Sequence, residues 1–226
     1  MRLVLIAVEG QTEERFVKDV LAPHLQLRGI RIVPTILRTK IVRQGGPFKG
    51  GLTSFRQIDE RVTCLLRDSH AVLVTTMFDY YGRWRNDFLT NYRSEKTPAG
   101  ATARERVQSV EREMEIYFDH PRFRAFLVLH EFEALLFSSP AEIAAAVNQP
   151  ETAKQLEQIR QTFPTPEEID DQPQSAPSKR LLTVIEGYQK PAHGALIASR
   201  IGIERIRGQC PHFAEWLSTL EALTSL

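Results

Sequence analysis

An unbroken apolar run over residues 3–8 is the first pattern in the chain, and it predicts a strand buried on both faces of a parallel sheet. Residues 71–78 and 123–129 repeat this pattern. Residues 30–37 predict a further strand, which Pro34 places at an edge or in an irregular position because proline cannot donate to a neighbouring strand. The chain therefore supplies the strands of a short parallel sheet.

Apolar residues at helical spacing fill the segments between these strands. One helix is predicted from Glu13 until Gly29 stops it, and another over residues 53–67. The succession of strand, helix, strand, helix and strand is typical of an α/β domain, in which helices flank a short parallel sheet.

Capping signals mark the second half of the chain. Thr102-Ala-Arg-Glu105 predicts a helix start, and Ser139-Pro-Ala-Glu142 and Thr165-Pro-Glu-Glu168 add a proline at the first helical position. Later segments have helical patterns without strands. We therefore predict an α/β domain over residues 1–139 and a helical extension over residues 140–226 that packs on it.

Acidic residues follow three of the predicted strands. Glu9 follows the first strand, Asp79 ends the third, and Glu131 with Glu133 follows the fourth. The carboxyl ends of parallel strands meet at one edge, where ligands bind, so we expect these side chains to lie together. Clustered carboxylates require a cation, and oxygen ligands suit Mg²⁺ or Mn²⁺. The sequence predicts a divalent-metal site at this edge, to which Glu9, Asp79 and either Glu133 or Glu131 would contribute ligands.

Each of these acids also has a structural interpretation. Glu9 or Thr12 would cap the following helix, and Asp79 would form an Asx-turn. Glu131 and Glu133 would stabilise the start of a helix-like run, on which they would point about 200° apart, so that one of the two faces the metal.

Basic residues supply the candidate phosphate contacts. Lys179, Arg180 and Lys190 lie in the predicted extension, where they would clamp phosphate near the acids or form a solvated helical face. A glycine-rich segment predicts a loop, whose Lys40 and Arg43 would follow a nucleic-acid backbone or lie in solvent.

Composition excludes several classes of protein. With 42% hydrophobic and 25% charged residues, the chain is typical of an ordinary globular protein. Its two cysteines form no C-x-x-C pair, which argues against a zinc ribbon or a disulfide scaffold and favours the cytoplasm. Residues 3–8 are too short to span a bilayer, so no membrane contact is expected. A net charge of +1 means that any contact with nucleic acid is local.

Two well-known active-site motifs are absent. The turn after the first strand has no G-x-x-x-x-G-K-[ST] pattern, so it is not a P-loop. His130 and Glu131 begin a zincin-like sequence, but Ala134 replaces the second histidine, which excludes that zinc-protease motif.

Several motifs along the chain resemble the Toprim-type domain of a bacterial family of unknown function. They are E-G-Q-T-E at 9–13, F-D-Y-Y-G at 78–82, H-E-F-E-A-L-L-F at 130–137, P-S-K-R-L at 177–181, Y-Q-K at 188–190 and I-R-G-Q-C-P-H-F at 206–213. The first is similar to the turn in the Toprim half of overcoming-lysogenization-defect nucleases, which pair the fold with an ATPase.

This resemblance implies a Toprim-like fold and a divalent-metal site that cleaves or transfers phosphodiesters. Glu9 matches the first-strand glutamate, a metal ligand or acid/base, and Asp79 the first acid of a D-x-D signature. Tyr81 replaces the second acid, so Asp87, Glu131 or Glu133 would have to supply the missing ligand.

The expected function is therefore Mg²⁺- or Mn²⁺-dependent cleavage of nucleic acid, with Glu9, Asp79, Glu131 and Glu133 as catalytic residues. The resemblance implies an ATPase partner in a bacterial defence system. The missing second aspartate leaves an alternative open, in which a degenerate, non-catalytic Toprim scaffold binds an ATPase or nucleic acid. A phosphatase or phosphotransferase that acts on small substrates is a third choice.

Overall fold

A parallel sheet forms the centre of the molecule. The computed structural model describes residues 1–37, 54–81, 83–93, 99–169 and 175–224. Its strands are β1 (Arg2–Val8), β2 (Ile30–Ile36), β3 (Ala71–Asp79), β4 (Phe123–Arg124) and β5 (Leu127–Val128). The strand order is β2-β1-β3-β4, all parallel, and β5 pairs with the carboxyl end of β3. The predicted α/β class is confirmed, and the strand that contains Pro34 lies at an edge.

Helices flank this sheet and make up the rest of the described chain. The first helical segment runs from α1 (Gln11–Phe16) through a π-helical turn (Val17–Leu21) into α2 (Ala22–Gln26). The others are α3 (Phe55–Leu66), α4 (Arg83–Asn91), α5 (Ala103–Phe118), α6 (Glu133–Leu136), α7 (Pro140–Ala146), α8 (Ala153–Gln161), α9 (Pro177–Val184), α10 (Lys190–Ile201), α11 (Ile203–Gln209) and α12 (Pro211–Glu221). Within the described ranges, every helix is too short or too polar to cross a membrane.

The two faces of β1 enter different parts of the core. Val4, Ile6 and Val8 pack in one apolar cluster, which includes residues of α1, α6 and the helices from α7 to α12. Leu5 and Ala7 point the other way, into a cluster that contains residues of α3, α4 and α5. This alternation follows from the period of two in a strand. The helical extension thus shares its core with one face of the sheet.

The predicted fourth strand is wrong as one continuous element. Between β4 and β5, the hydroxyl of Thr76 donates to the carbonyl of Phe126 and accepts from its N–H, both at 2.9 Å. On α5, Glu115 accepts from the N–H of Ala125 and Glu111 from the N–H of Leu127. Side chains therefore replace part of the backbone ladder, and the segment divides into two short strands.

Buried polar contacts fix the start of α12. The carboxylate of Glu167 accepts from the N–H groups of His212 and Phe213, at 2.8 and 2.9 Å. Residues 165–168, predicted to start a helix, form only a short 3-10 turn that presents this acid (Pro166–Glu168). His212 Nε2 lies 2.9 Å from Glu111 Oε1. Burial lowers the pKa of His212, but Glu111 outweighs it, so this pKa is raised overall.

Candidate active site

Strand register brings the predicted acidic segments to one edge of the sheet. Val8 at the end of β1 pairs with Met77, two residues before Asp79 ends β3. Asp79 in turn pairs with Val128 at the end of β5. Glu9 directly follows β1, and the segment that carries Glu131 and Glu133 follows β5. The prediction that widely separated segments meet at the carboxyl edge is therefore correct for the backbone.

Three carboxylates converge on the ammonium group of Lys190 at this edge. The Nζ atom lies 3.0 Å from Glu133 Oε2, 3.1 Å from Asp79 Oδ2 and 3.7 Å from Glu13 Oε1. The exposed fraction is 0% for the Glu133 side chain, 4% for Glu13 and 14% for Asp79, while Lys190 is 34% exposed. We call these four residues the acidic site. Its acids are buried, and its lysine reaches solvent.

Each of two acids uses one oxygen for the backbone and offers the other to Lys190. Asp79 Oδ1 accepts from the N–H of Phe132 at 2.8 Å, which ties β3 to the segment before α6. Glu13 Oε2 accepts from the N–H of Gly10 at 3.0 Å, so this side chain satisfies a free donor at the start of α1. Neither Glu9 nor Thr12 serves as the cap residue of α1, which is Gly10. The backbone thus orients both carboxylates.

The close approach of α10 to α1 positions Lys190. Arg15 on α1 donates to the carbonyl of Pro191 at 3.1 Å, next to the lysine. Further along α10, Gly194 packs so tightly that an added Cβ would lie 2.6 Å from Thr12 Cγ2, below any normal contact distance. A larger residue here would require Thr12 or one of the two helices to shift, so Gly194 permits the close approach of α10 to α1.

Burial and charge shift the pKa values of the site. Burial raises the pKa of Glu133 from 4.5 to about 7, with Lys190 opposing the shift and Asp79 adding to it. Burial also raises the pKa of Glu13, again against Lys190. Burial disfavours the lysine ammonium, but the surrounding carboxylates raise the pKa of Lys190 well above its ordinary value. The lysine is therefore charged, while Glu133 takes up or releases a proton near neutral pH.

Glu131 and Glu133 have different surroundings. Glu131 Oε2 accepts from the N–H of Ser178 at 2.9 Å, in the first turn of α9. Glu133 lies in the acidic site, and its Oε1 accepts from the hydroxyl of Tyr188 at 3.4 Å. The helix-like run predicted from Glu131 contains only the short α6, from Glu133 to Leu136. Glu131 therefore contacts the first turn of α9, whereas its structural interpretation placed it at the start of its own helix-like run.

The predicted basic residues divide into three groups. Lys190 lies in the acidic site, where its ammonium pairs with carboxylates. Lys179 is exposed on α9, while Arg180 donates to the carbonyl of Ser175 and stacks over the ring of Phe163. Lys40 and Arg43 lie outside the described residues.

Aromatic rings line the end of β3. Tyr81, which replaces the expected second acid, stacks on the imidazole of His130 with ring centroids 5.3 Å apart. Tyr80 is buried, and the guanidinium of Arg85 lies 4.9 Å from the centre of its ring. Tyr81 therefore makes a ring contact with His130 at the position where the D-x-D signature has its second carboxylate.

Sequence reasoning missed Glu13 and Tyr188 as members of this region. Glu13 is part of the E-G-Q-T-E motif, but Glu9 precedes α1, so the spacing of these two acids does not show that Glu13 enters the site. Tyr188 comes two residues before Lys190, but nothing local indicates that its hydroxyl reaches Glu133.

The acids of the site match the chemistry of a hard divalent cation, but the lysine ammonium lies among them. In the parts of the chain that the structure describes, His, Cys, Asp and Glu form no group of three or more that could hold a metal ion as it stands. The ammonium of Lys190 is the positive charge that the three carboxylates face, with its Nζ within 3.7 Å of each.

Comparisons with known proteins give one family and one group of similar structures. Residues 8–221 match the family described as "Domain of unknown function (DUF4276)". The search of curated proteins found no match. The chain is similar to three structures of the C-terminal region of the Xanthomonas campestris pv. campestris OLD protein, phased with mercury, iodine and platinum. Their sequence identities are 17%, 18% and 17%, and their TM-scores are 0.39, 0.39 and 0.38. Each match covers 96% of this chain and 96%, 96% and 94% of the other.

Proposed function

The chain belongs to the family described as "Domain of unknown function (DUF4276)", and we propose that it is a divalent-metal-dependent nuclease, which hydrolyses phosphodiester bonds of nucleic acid at the acidic site. The observation that carries the proposal is the convergence of Glu13, Asp79 and Glu133 on one cationic group at the carboxyl edge of the sheet. This edge is where open α/β sheets bind their ligands.

The acidic site contains more negative charge than its one lysine can neutralise, which supports the binding of a further cation. Three carboxylates surround one ammonium, and two of them are almost completely buried. Buried carboxylates are costly unless they are paired, protonated or bound to a metal. Burial is the main reason why the pKa of Glu133 is raised to about 7, and the carboxylates of Asp79 and Glu131 raise it further. A divalent cation would offset the buried negative charge without protonation.

The residues of the site have distinct roles in this proposal. Asp79 and Glu133 would hold Mg²⁺ or Mn²⁺, and Glu13 adds a carboxylate that the sequence did not predict. Glu9, which directly follows β1 at the same edge, would be the further ligand that the resemblance implies. When bound, the ion would neutralise phosphate oxygens and acidify the attacking water. Lys190, whose side chain is 34% exposed, would donate a hydrogen bond to a phosphate that approaches from solvent. Glu133 would accept a proton near neutral pH.

Cleavage assays with paired variants test the proposal. The wild-type chain should nick plasmid DNA or cut single-stranded RNA with Mg²⁺ or Mn²⁺, and a chelator should abolish this activity. Asp79→Asn and Glu133→Gln should lower the rate at least about a hundredfold, because each removes a charge from the metal site. Glu151→Gln is the control, since Glu151 is exposed on a distant turn. Equal loss in all three variants would contradict the proposed site.

A second candidate function is a non-catalytic adaptor. Two observations favour it: the ammonium of Lys190 already faces the acids, and Tyr81 stands where the second acid of the signature is expected. In this case Lys190 permanently replaces the metal ion. The wild-type chain would then bind nucleic acid or an ATPase equally well with and without divalent ions, and it would cleave nothing even with the ATPase present.

The proposal includes an ATPase partner in a bacterial defence system. This part rests only on the resemblance of the E-G-Q-T-E turn. Co-purification of the tagged chain from its native host, followed by ATPase assays of the captured proteins, tests this partner. If no nucleotide-hydrolysing protein is captured, the chain would have to act alone or with nucleic acid only.

A further inference from the structure

A polar cavity lies in the helical extension, apart from the four residues of the acidic site. It has a volume of about 230 Å³ and is formed where the end of α6 meets α8 and α11. Its polar lining consists of Ser138, Glu157, Arg160, Gln161, Arg205 and Gln209. None of these residues was a candidate in the sequence, because they come from three separate segments.

Positive charge exceeds negative charge in this cavity. Arg160 and Arg205 contribute two guanidinium groups against the single carboxylate of Glu157. Neither arginine forms an ion pair within the described residues, and Glu157 instead accepts from the side chain of Gln161 at 3.1 Å. The cavity therefore contains unneutralised cationic donors.

Protein contacts orient the guanidinium group of Arg160, whereas the exposed Arg205 makes one contact, and part of each donor set stays available. Arg160 donates to the carbonyls of Phe163 at 2.8 Å and Pro164 at 3.4 Å, and to the side-chain oxygen of Gln209 at 3.1 Å. Arg205 uses its Nε to reach the carbonyl of Ser138 at 3.3 Å. Within the described part of the chain, the terminal nitrogens of Arg205 have no acceptor. The planar guanidinium of Arg160, which several contacts orient, and the available nitrogens of Arg205 suit an oxyanion with two adjacent oxygens.

We propose that this cavity binds a phosphate group, held between the guanidinium groups of Arg160 and Arg205. The volume of about 230 Å³ is smaller than the roughly 300–1,000 Å³ of pockets that enclose a whole drug-sized ligand, so one phosphate with a few waters fits better than a nucleotide. The phosphate is either free inorganic phosphate or a phosphate of a nucleic acid. The inference is independent of nuclease activity, because it concerns binding alone.

Calorimetric titration of the full chain with inorganic phosphate, in the presence of a chelator, tests the proposal. Wild type should show saturable binding with one phosphate per chain. Arg205→Gln should weaken binding about tenfold or more, because hydrogen bonds to a charged group are lost. Arg200→Gln makes the same charge change at an exposed position on α10 and should leave the affinity unchanged. Arg160→Lys keeps the charge but loses the planar fork, so it should also weaken binding.

Short DNA strands with a 5′-phosphate or a 5′-hydroxyl distinguish the two sources of the phosphate. Tighter binding of the phosphorylated strand, lost in Arg205→Gln, would assign the cavity to nucleic acid. Binding of inorganic phosphate without any preference between the strands would assign it to the free ion. If neither ligand binds saturably, or if Arg200→Gln weakens binding as much as Arg205→Gln, the cavity is not a phosphate site and its arginines serve only the helix ends.

Discussion

Replacement of the buried Glu133 by glutamine should stabilise the folded chain at alkaline pH. Burial raises the pKa of Glu133 from 4.5 to about 7, so between these values the folded state holds a proton that the unfolded state has released. Stability therefore falls as pH rises through this window. Glutamine has nearly the same shape and stays neutral, so the variant should not lose this stability.

The size of the effect follows from the pKa difference. Each pKa unit corresponds to about 1.4 kcal/mol, so the free energy of unfolding of wild type should fall relative to Glu133→Gln by about 3 kcal/mol between pH 4.5 and pH 8. The side chain has no exposed area, so solvent screening does not reduce this value. Asp79 and Glu13 remain to pair with Lys190 in the variant.

Urea unfolding at a series of pH values, followed by circular dichroism in the presence of a chelator, measures this difference. The two chains should unfold at similar urea concentrations near pH 4.5 and diverge steadily up to pH 8. The exposed Glu151→Gln variant should follow wild type throughout. The reasoning would be refuted if the difference between wild type and Glu133→Gln did not change with pH, or if the variant lost stability on the alkaline side.

Three further predictions follow from contacts around the sheet. Lys190→Met should lower the free energy of unfolding at pH 7 by about 2 kcal/mol, which is less than the roughly 3–5 kcal/mol of a fully buried pair because the lysine side chain is a third exposed. Urea unfolding measures this loss, and an unchanged midpoint would contradict the ion-pair geometry. Gly194→Ala should cost about 1–3 kcal/mol through overpacking, whereas Gly208→Ala, with open space around it, should be neutral or stabilising; equal effects would contradict the tight helix contact. Glu111→Gln should lower the pKa of His212 below 6.5, because burial then dominates, and NMR titration of the imidazole checks this. In wild type, protonated His212 stabilises the folded chain below pH 6.5, and this stabilisation is lost as pH rises through the raised folded pKa. The Glu111→Gln variant should not show this pH-dependent stabilisation.

Local signals predicted most of the sheet and several helix starts. The apolar runs before Glu9 and Asp79 are strands, because continuous burial on both faces leaves little choice of residue. Thr102 caps α5 as its sequence indicates, and its hydroxyl accepts from the N–H of Glu105. The break between β4 and β5 could not be predicted, because it depends on Thr76 and on two acids of α5 that lie far away in sequence.

The acidic site was also predictable in part, because two of its acids follow predicted strands. Asp79 and Glu133 could be placed at the carboxyl edge because strand order brings their segments together. The position of Lys190 was not predictable, because α10 reaches the site through its contact with α1 at Gly194, and nothing near Lys190 in the sequence reports that contact. In the folded chain its ammonium pairs with three acids, and its role as a phosphate contact stays a prediction.

The sequence alone determined most of the strands and several helix starts, and which ends of the strands carry carboxylates, because periodicity and capping act over a few neighbouring residues. Only the tertiary structure decided which charges face one another. Glu131 and Glu133 are two residues apart, yet one caps α9 and the other lies buried beside Lys190. Pairing of charges is set by distance in space, and helix packing, not chain order, fixes that distance.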